Sequence, residues 1–258
     1  MTLPALDPVV FLLELARIAG LVLAAPLFGH VALPVRVRVG LAVAFAIALA
    51  PGVPALPGGP PASLFTLAGL IAVESALGVM IGLAAQLVFA GIQLGGQIAG
   101  IQMGFGMASL VDPQTHAQET VVAHWQQLVA LLVFLVLDGH HLLLRALIAS
   151  FHAAPPGAVA LAGDGFRALV SLAGGLFELG VRVAAPVTLA ILLTNAALGV
   201  LARMVPQLNV FVVGFPVNVG VGLMVIGAAL PFTLRLFAER FGALEPVLGQ
   251  LMWGVTHG

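Results

Sequence analysis

At 258 residues, with 61% hydrophobic and 7% charged side chains, this chain lies far from ordinary soluble domains, which carry roughly 45–50% and 25%. Its mean hydropathy of +1.18 makes it an integral membrane protein. A net charge of −1 leaves no basic field for nucleic acid, the absence of Cys removes any disulfide framework or thiolate chemistry, and nine Arg with no Lys rule out a Walker-type phosphate loop.

Apolar segments alternate with short Pro/Gly punctuation rather than polar linkers, which predicts one membrane domain over residues 1–258, an all-α bundle of about six long apolar segments. The start, MTLPALDPVV, places Asp7 and two prolines where a signal peptide carries positive charge, so the first segment, about Val9 to Leu27, is expected to be retained. The second, Val35 to Ala50, stops at Pro51 to Pro61, where five prolines forbid helix continuation. Ser63 reads as the N-cap of a third segment running past Gln97, some 35 residues, longer than a bilayer core requires. The fourth, Thr120 to Phe151, is interrupted by Asp138-Gly139-His140-His141. The fifth and sixth, Arg167 to Met204 and Val210 to Glu239, are joined by Pro206-Gln207-Leu208-Asn209, turn chemistry suited to a C-terminal helical hairpin.

Charges fall inside these segments: Glu14 and Arg17 in the first, Glu74 in the third, Glu178 and Arg182 in the fifth. A charge at a bilayer centre costs ~2.5–3.5 kcal/mol, so these groups either pair locally near an interface or face other subunits. Glu178 and Arg182 have the i, i+4 spacing and order that favour pairing. Arg36, Arg38, Arg145 and Arg203 do not vote for one membrane orientation.

Between Ser75 and Val111 no side chain is ionisable. At about 100° per residue, Gln86, Gln93 and Gln97 share a stripe, with Gly91 and Gly95 nearly opposite. Gly78/Gly82, Gly91/Gly95 and Gly96/Gly100/Gly104 have the small-xxx-small spacing of close helix contacts, expected here to serve packing between subunits as well as within the chain. The stretch then enters Gly104, Phe105, Gly106, Met107, Ala108, Ser109, Leu110, Val111, Asp112 and Pro113. Two glycines around Phe105 and Met107, the expected bulky apolar tips, ended by an Asp-Pro turn, read as a loop able to obstruct a channel, or as a surface turn. Ser109 and Asp112 lack a nearby base and a G-x-S-x-G setting, so no catalytic site is expected. His140 and His141 stand beside Asp138, but adjacent helical residues diverge by about 100° and no His pair has i, i+4 spacing, so a polar cap at a helix bend is expected rather than a metal site. No cofactor is expected.

Three blocks together resemble the FliR family of the bacterial flagellar type III export apparatus: Met103 to Gln114 (MGFGMASLVDPQ), Leu137 to Leu143 (LDGHHLL) with Ser150-Phe151, and Gly199 to Phe211 (GVLARMVPQLNVF) with Gly214-Phe215-Pro216. The resemblance covers nearly the whole chain in order. Arg203, Pro206, Gln207 and Asn209 form its most compact pattern, R-x-x-P-Q-x-N, and the D-G-H-H block is similar to flagellar rather than injectisome members. The resemblance implies a non-enzymatic, single-copy export-gate subunit assembled with FliP-like and FliQ-like subunits, contacted by FlhB-like and FlhA-like components, and passing unfolded flagellar substrates. It implies a bacterial inner-membrane location in the flagellar basal body, a helical assembly standing largely proud of the bilayer, and a plug near Gly104 to Thr120. It also implies a likeness to FliQ from Pro186 to about Pro231. Arg203, Pro206, Gln207 and Asn209 are too polar to face lipid and too closely spaced to be chance decoration of a turn, so they are expected to fix neighbouring subunits. A secondary transporter or channel with a site near Gly100 to Gly106 is the alternative, which an inverted repeat would favour; none is found.

Overall fold

The computed structural model describes residues 7–28, 33–57, 59, 61–106, 119–159, 163–205, 207 and 209–256, and all regular elements among them are helical. They are α1 (Pro8–Ala24), α2 (Val35–Leu49), α3 (Leu64–Met103), α4 (Val121–Val136), α5 (Gly139–Ala153), α6 (Gly163–Met204), α7 (Val210–Gly242) and α8 (Leu244–Thr256), with a 3₁₀ turn Ala50–Gly52 continuing α2.

The helix boundaries have local causes. Asp7, expected only to argue against a signal peptide, caps α1: Val9 N–H donates to Oδ1 at 2.9 Å, and Pro8 occupies the first turn where its missing N–H is harmless. Ser63 caps α3 as its position predicts, accepting from Thr66 N–H at 3.2 Å. At 40 residues α3 is about 60 Å long, twice the hydrocarbon thickness.

The expected count of six segments is approximate. Among the described residues four helices are long and apolar enough to cross a membrane, or five if the bent α4–α5 pair counts as one span. α1, with 17 residues, falls short of the ~20 that a crossing needs. The fourth segment is two helices meeting at 64°, because Asp138 adopts φ 53°, a left-handed conformation that interrupts a right-handed helix. α8 has no counterpart in the six.

Two compact units emerge. In the first, formed by Met1–Leu87, Phe134–Ala173 and Arg240–Gly258, α1 lies directly on the early part of α3. A Cβ on Gly82 would fall 2.8 Å from Cβ of Ala24, and one on Gly78 would overlap the Arg17 carbonyl oxygen outright. Leu13, Ile18, Leu21, Leu77 and Ile81 are buried there. In the second, Val88–Val133 with Gly174–Glu239, Gly91 and Gly95 take Leu179 and Val183 of α6, while Gly96 and Gly100 take Ala123 and Thr120 at the start of α4. Its core joins Ala99, Met103, Val122, Val187, Ile191 and Ile226. The within-chain packing expected of these glycines is what the structure shows: their close neighbours are helices of the same chain. Missing side chains let backbones approach to the distance at which dispersion replaces the absent hydrophobic drive in lipid.

Candidate functional site

Arg17 organises the interior of the first unit. Its Nε and Nη2 each donate to Oε2 of Glu74 at 2.6 Å, Nη1 donates to Oγ of Ser150 at 3.1 Å, and Nη2 also donates to the Ala154 carbonyl at 2.9 Å. Oε1 of Glu74 accepts from Gly157 N–H at 2.8 Å, and the guanidinium lies 4.4 Å from the Phe151 ring centroid. Both charged side chains are essentially inaccessible, at 0% and 1% exposure. The fork geometry of Arg satisfies its donors without water, which is what makes a buried ion tolerable. Arg17 and Glu74 thus belong to the chain's own core, not to a subunit contact. Glu178 and Arg182 pair along α6 at 2.6 Å as their spacing predicts, about half exposed. Glu14 is buried, and its Oε1 has no hydrogen-bond partner among the described residues.

In the second unit the obstructing segment expected over Gly104 to Pro113 is flanked by two anchors. α3 ends by the geometry of a Schellman cap: Phe105 N–H donates to the Gly100 carbonyl and Gly104 N–H to the Ile101 carbonyl, both at 3.0 Å, with Gly104 at φ 100°. A Cβ at Gly104 would also lie 2.7 Å from Cδ2 of Phe215 on α7, so only glycine fits. Phe105 is not the loop tip expected of it. Its ring meets Phe215 edge-on, centroids 6.3 Å apart, and packs on the core around Met103. Gly106 has φ outside the positive region and ordinary space around it. Met107, Ala108, Ser109, Leu110, Val111, Asp112 and Pro113 lie outside the described residues.

The return anchor was not anticipated. Gln93 Nε2 donates to Oε1 of Glu119, Thr120 N–H donates to Oε1 of Gln97 at 2.8 Å, and Thr120 Oγ1 accepts from Ala123 N–H at 3.2 Å, capping α4. The glutamine stripe was visible in the sequence; that Glu119 and Thr120 answer it follows only from the fold, which brings the start of α4 back onto α3.

At the α6–α7 turn, Arg203 and Gln207 are exposed, Asn209 precedes α7, and Pro206 lies outside the described residues. The Asn209 carbonyl accepts from Val212 and Val213 N–H at 3.0 and 3.2 Å, and its side chain lies 3.4 Å from Val212 N. Asn209 therefore has the local capping role that was not foreseen for it. At the α4–α5 bend, the divergence expected of adjacent helical residues does not separate the histidines. The rings of His140 and His141 have centroids 4.1 Å apart, beside Asp138.

Long apolar helices and no strand among the described residues define an all-α membrane class of chain, and comparison identifies the family. Residues 9–244 match the family described as bacterial export proteins, family 1. The chain is 35% identical over 241 residues to flagellar biosynthetic protein FliR of Escherichia coli K12 (92% of each chain). It is 37% identical over 247 residues to that of Pectobacterium carotovorum (93% of each) and 34% over 219 residues to that of Bacillus subtilis 168 (84% of each). The chain belongs to the FliR family of bacterial export proteins. It is accordingly a membrane component of flagellar protein export, and the transporter alternative is not favoured.

Proposed function

We propose that the chain completes and plugs the pore through which unfolded flagellar proteins leave the cytoplasm, as a non-catalytic subunit needing no cofactor. Its partners in this reading are FliP-like and FliQ-like gate subunits and FlhB-like and FlhA-like components, in the bacterial inner membrane at the flagellar basal body. The whole chain, 1–258, acts as one export-gate domain.

The observation that supports the plug is the double anchorage around Met107 to Pro113. Phe105 is held on Phe215 at the end of α3, and Thr120 is held by Gln97. Gln97 lies six residues before the end of α3 at Met103, about 9 Å along the helix at ~1.5 Å per residue. The chain between Phe105 and Thr120 could extend over roughly 50 Å, so it has length to spare for reaching into a pore while its ends stay fixed. Apolar bulk at Met107, Leu110 and Val111 suits the exclusion of water and ions.

Deletion within Met107 to Val111, leaving Gly104 and Phe105 intact, tests this. The expected outcome is an assembled complex with raised small-ion conductance in planar bilayers or intact cells. Normal assembly with unchanged conductance would reject the plug and leave a surface turn. Coexpression tests the partners: the chain should copurify with FliP-like and FliQ-like subunits in a detergent-stable complex, and a stable, functional monomer would contradict that part of the reading.

A further inference from the structure

The bend between α4 and α5 gathers three ligating side chains that the export role leaves unused. Asp138, His140 and His141 each present a donor atom, all within 4.8 Å of one another. Oδ1 of Asp138 is 3.1 Å from Nδ1 of His141. Two ordinary explanations fit poorly. Asp138 occupies the N-cap position of α5 yet makes no side-chain cap bond, so its carboxylate is not there to satisfy helix N–H groups. A surface ion pair between Asp138 and His141 would leave His140 out, and Nδ1 of His140 is enclosed with no hydrogen-bond partner among the described residues. An enclosed polar atom left unmet is destabilising.

We propose that Asp138, His140 and His141 form a binding site for one divalent transition-metal cation, with Zn²⁺ the best match. Two imidazole nitrogens and one carboxylate oxygen are a ligand set that suits Zn²⁺, whereas Mg²⁺ and Ca²⁺ require oxygen ligands throughout. Donors about 2.1 Å from a tetrahedral cation sit roughly 3.4 Å apart. The Asp138–His141 spacing already meets that. The remaining adjustment falls on side chains free to turn, since the side chains of His141 and Asp138 are 56% and 66% exposed. Arg145, one turn further along α5, is exposed, and solvent screens its charge. Three protein ligands leave a fourth position for water or a side chain from a neighbouring subunit. Because Asp138 lies in the break and both histidines in the first turn of α5, a bound cation would stiffen the start of that helix.

The test uses the full chain purified in mild detergent with whatever subunits accompany it, carrying an affinity tag free of histidine and stripped with a chelator. Calorimetric titration with Zn²⁺ should show one cation per chain with a Kd of about 1–10 μM. His141→Ala and Asp138→Asn should each weaken binding at least tenfold, while His124→Ala and His152→Ala, exposed histidines elsewhere, should leave it unchanged. A measurement on the unmutated protein guards against variants that fail to assemble: Zn²⁺ should protect His140 and His141 from diethyl pyrocarbonate, mapped by mass spectrometry, and leave His124 and His152 reactive. Binding no tighter than about 1 mM, equal affinity in His141→Ala, or rings that react alike with and without Zn²⁺ would each overturn the proposal.

Discussion

Glu74→Leu probes the interior most directly. Glu74 answers two donors of Arg17 at 2.6 Å and Gly157 N–H at 2.8 Å, so the change strands a guanidinium that has 0% exposure and cannot reach water. Removing one partner of a buried pair costs ~3–5 kcal/mol, against a total stability on the order of 5–15 kcal/mol. Arg17→Met combined with Glu74→Leu removes both charges. It forfeits the bonds to Ser150, the Ala154 carbonyl and Gly157, at ~1 kcal/mol each, but leaves no orphan ion. The double variant should therefore be no worse than Glu74→Leu alone and at least ~2 kcal/mol better than the sum of the two single changes. The assay is the fraction of monodisperse protein surviving graded heating in detergent, read by a fluorescent fusion on size-exclusion chromatography. Additive single effects, or Glu74→Leu surviving heat like the unmutated chain, would refute the coupling.

Further outcomes follow from the anchors and the turn. Gly104→Ala should cost ~1–2 kcal/mol from its left-handed backbone alone, and more from the displaced Phe215 ring, whereas Gly106→Ala should be silent in the same heating assay. Gln97→Leu, which orphans Thr120 N–H, should loosen the return anchor and raise ion leakage without reducing complex yield; an unchanged leak would show that this anchor does not hold the plug. Asn209→Leu should lose ~1 kcal/mol of helix capping. Arg203→Ala with Gln207→Ala should keep the chain's own stability while lowering the yield of copurifying subunits. If that yield is unchanged, the R-x-x-P-Q-x-N pattern is turn chemistry and nothing more.

What the sequence disclosed was local. Ser63 before an apolar run, five prolines after α2, Glu178 four residues before Arg182, and the interruption at Asp138 all act over a few residues, and each appears where it was read. The misreadings involve distant partners. Arg17 and Glu74 looked like candidates for other subunits because their mutual contact spans 57 positions. Phe105 looked like a loop tip because nothing nearby announces that Phe215 will receive it. The glycines of α3 carried a clear spacing signal for close approach, but spacing cannot say which helix approaches. The histidine rings lie closer than ideal helical divergence suggests, because that divergence describes backbone directions and flexible side chains at the start of a bent helix need not follow it.

The Arg17 cluster also bears on how the chain is made. α1 leaves the ribosome carrying Glu14 and Arg17, each unwelcome in lipid, and the carboxylate that neutralises Arg17 follows 57 residues later, with Ser150 133 residues behind. α1 on its own is thus a poor substrate for release into the bilayer. We hypothesise that it lingers beside the insertion machinery until α3 arrives and is sealed only when α5 delivers its last acceptors. Nascent chains arrested before Glu74 should crosslink from α1 to that machinery, and chains arrested beyond Gly157 should not; equal crosslinking at both lengths would contradict this. The motif that stabilises the finished interior would then act earlier as a timer, delaying membrane integration of the first helix until the segments that complete it have been translated.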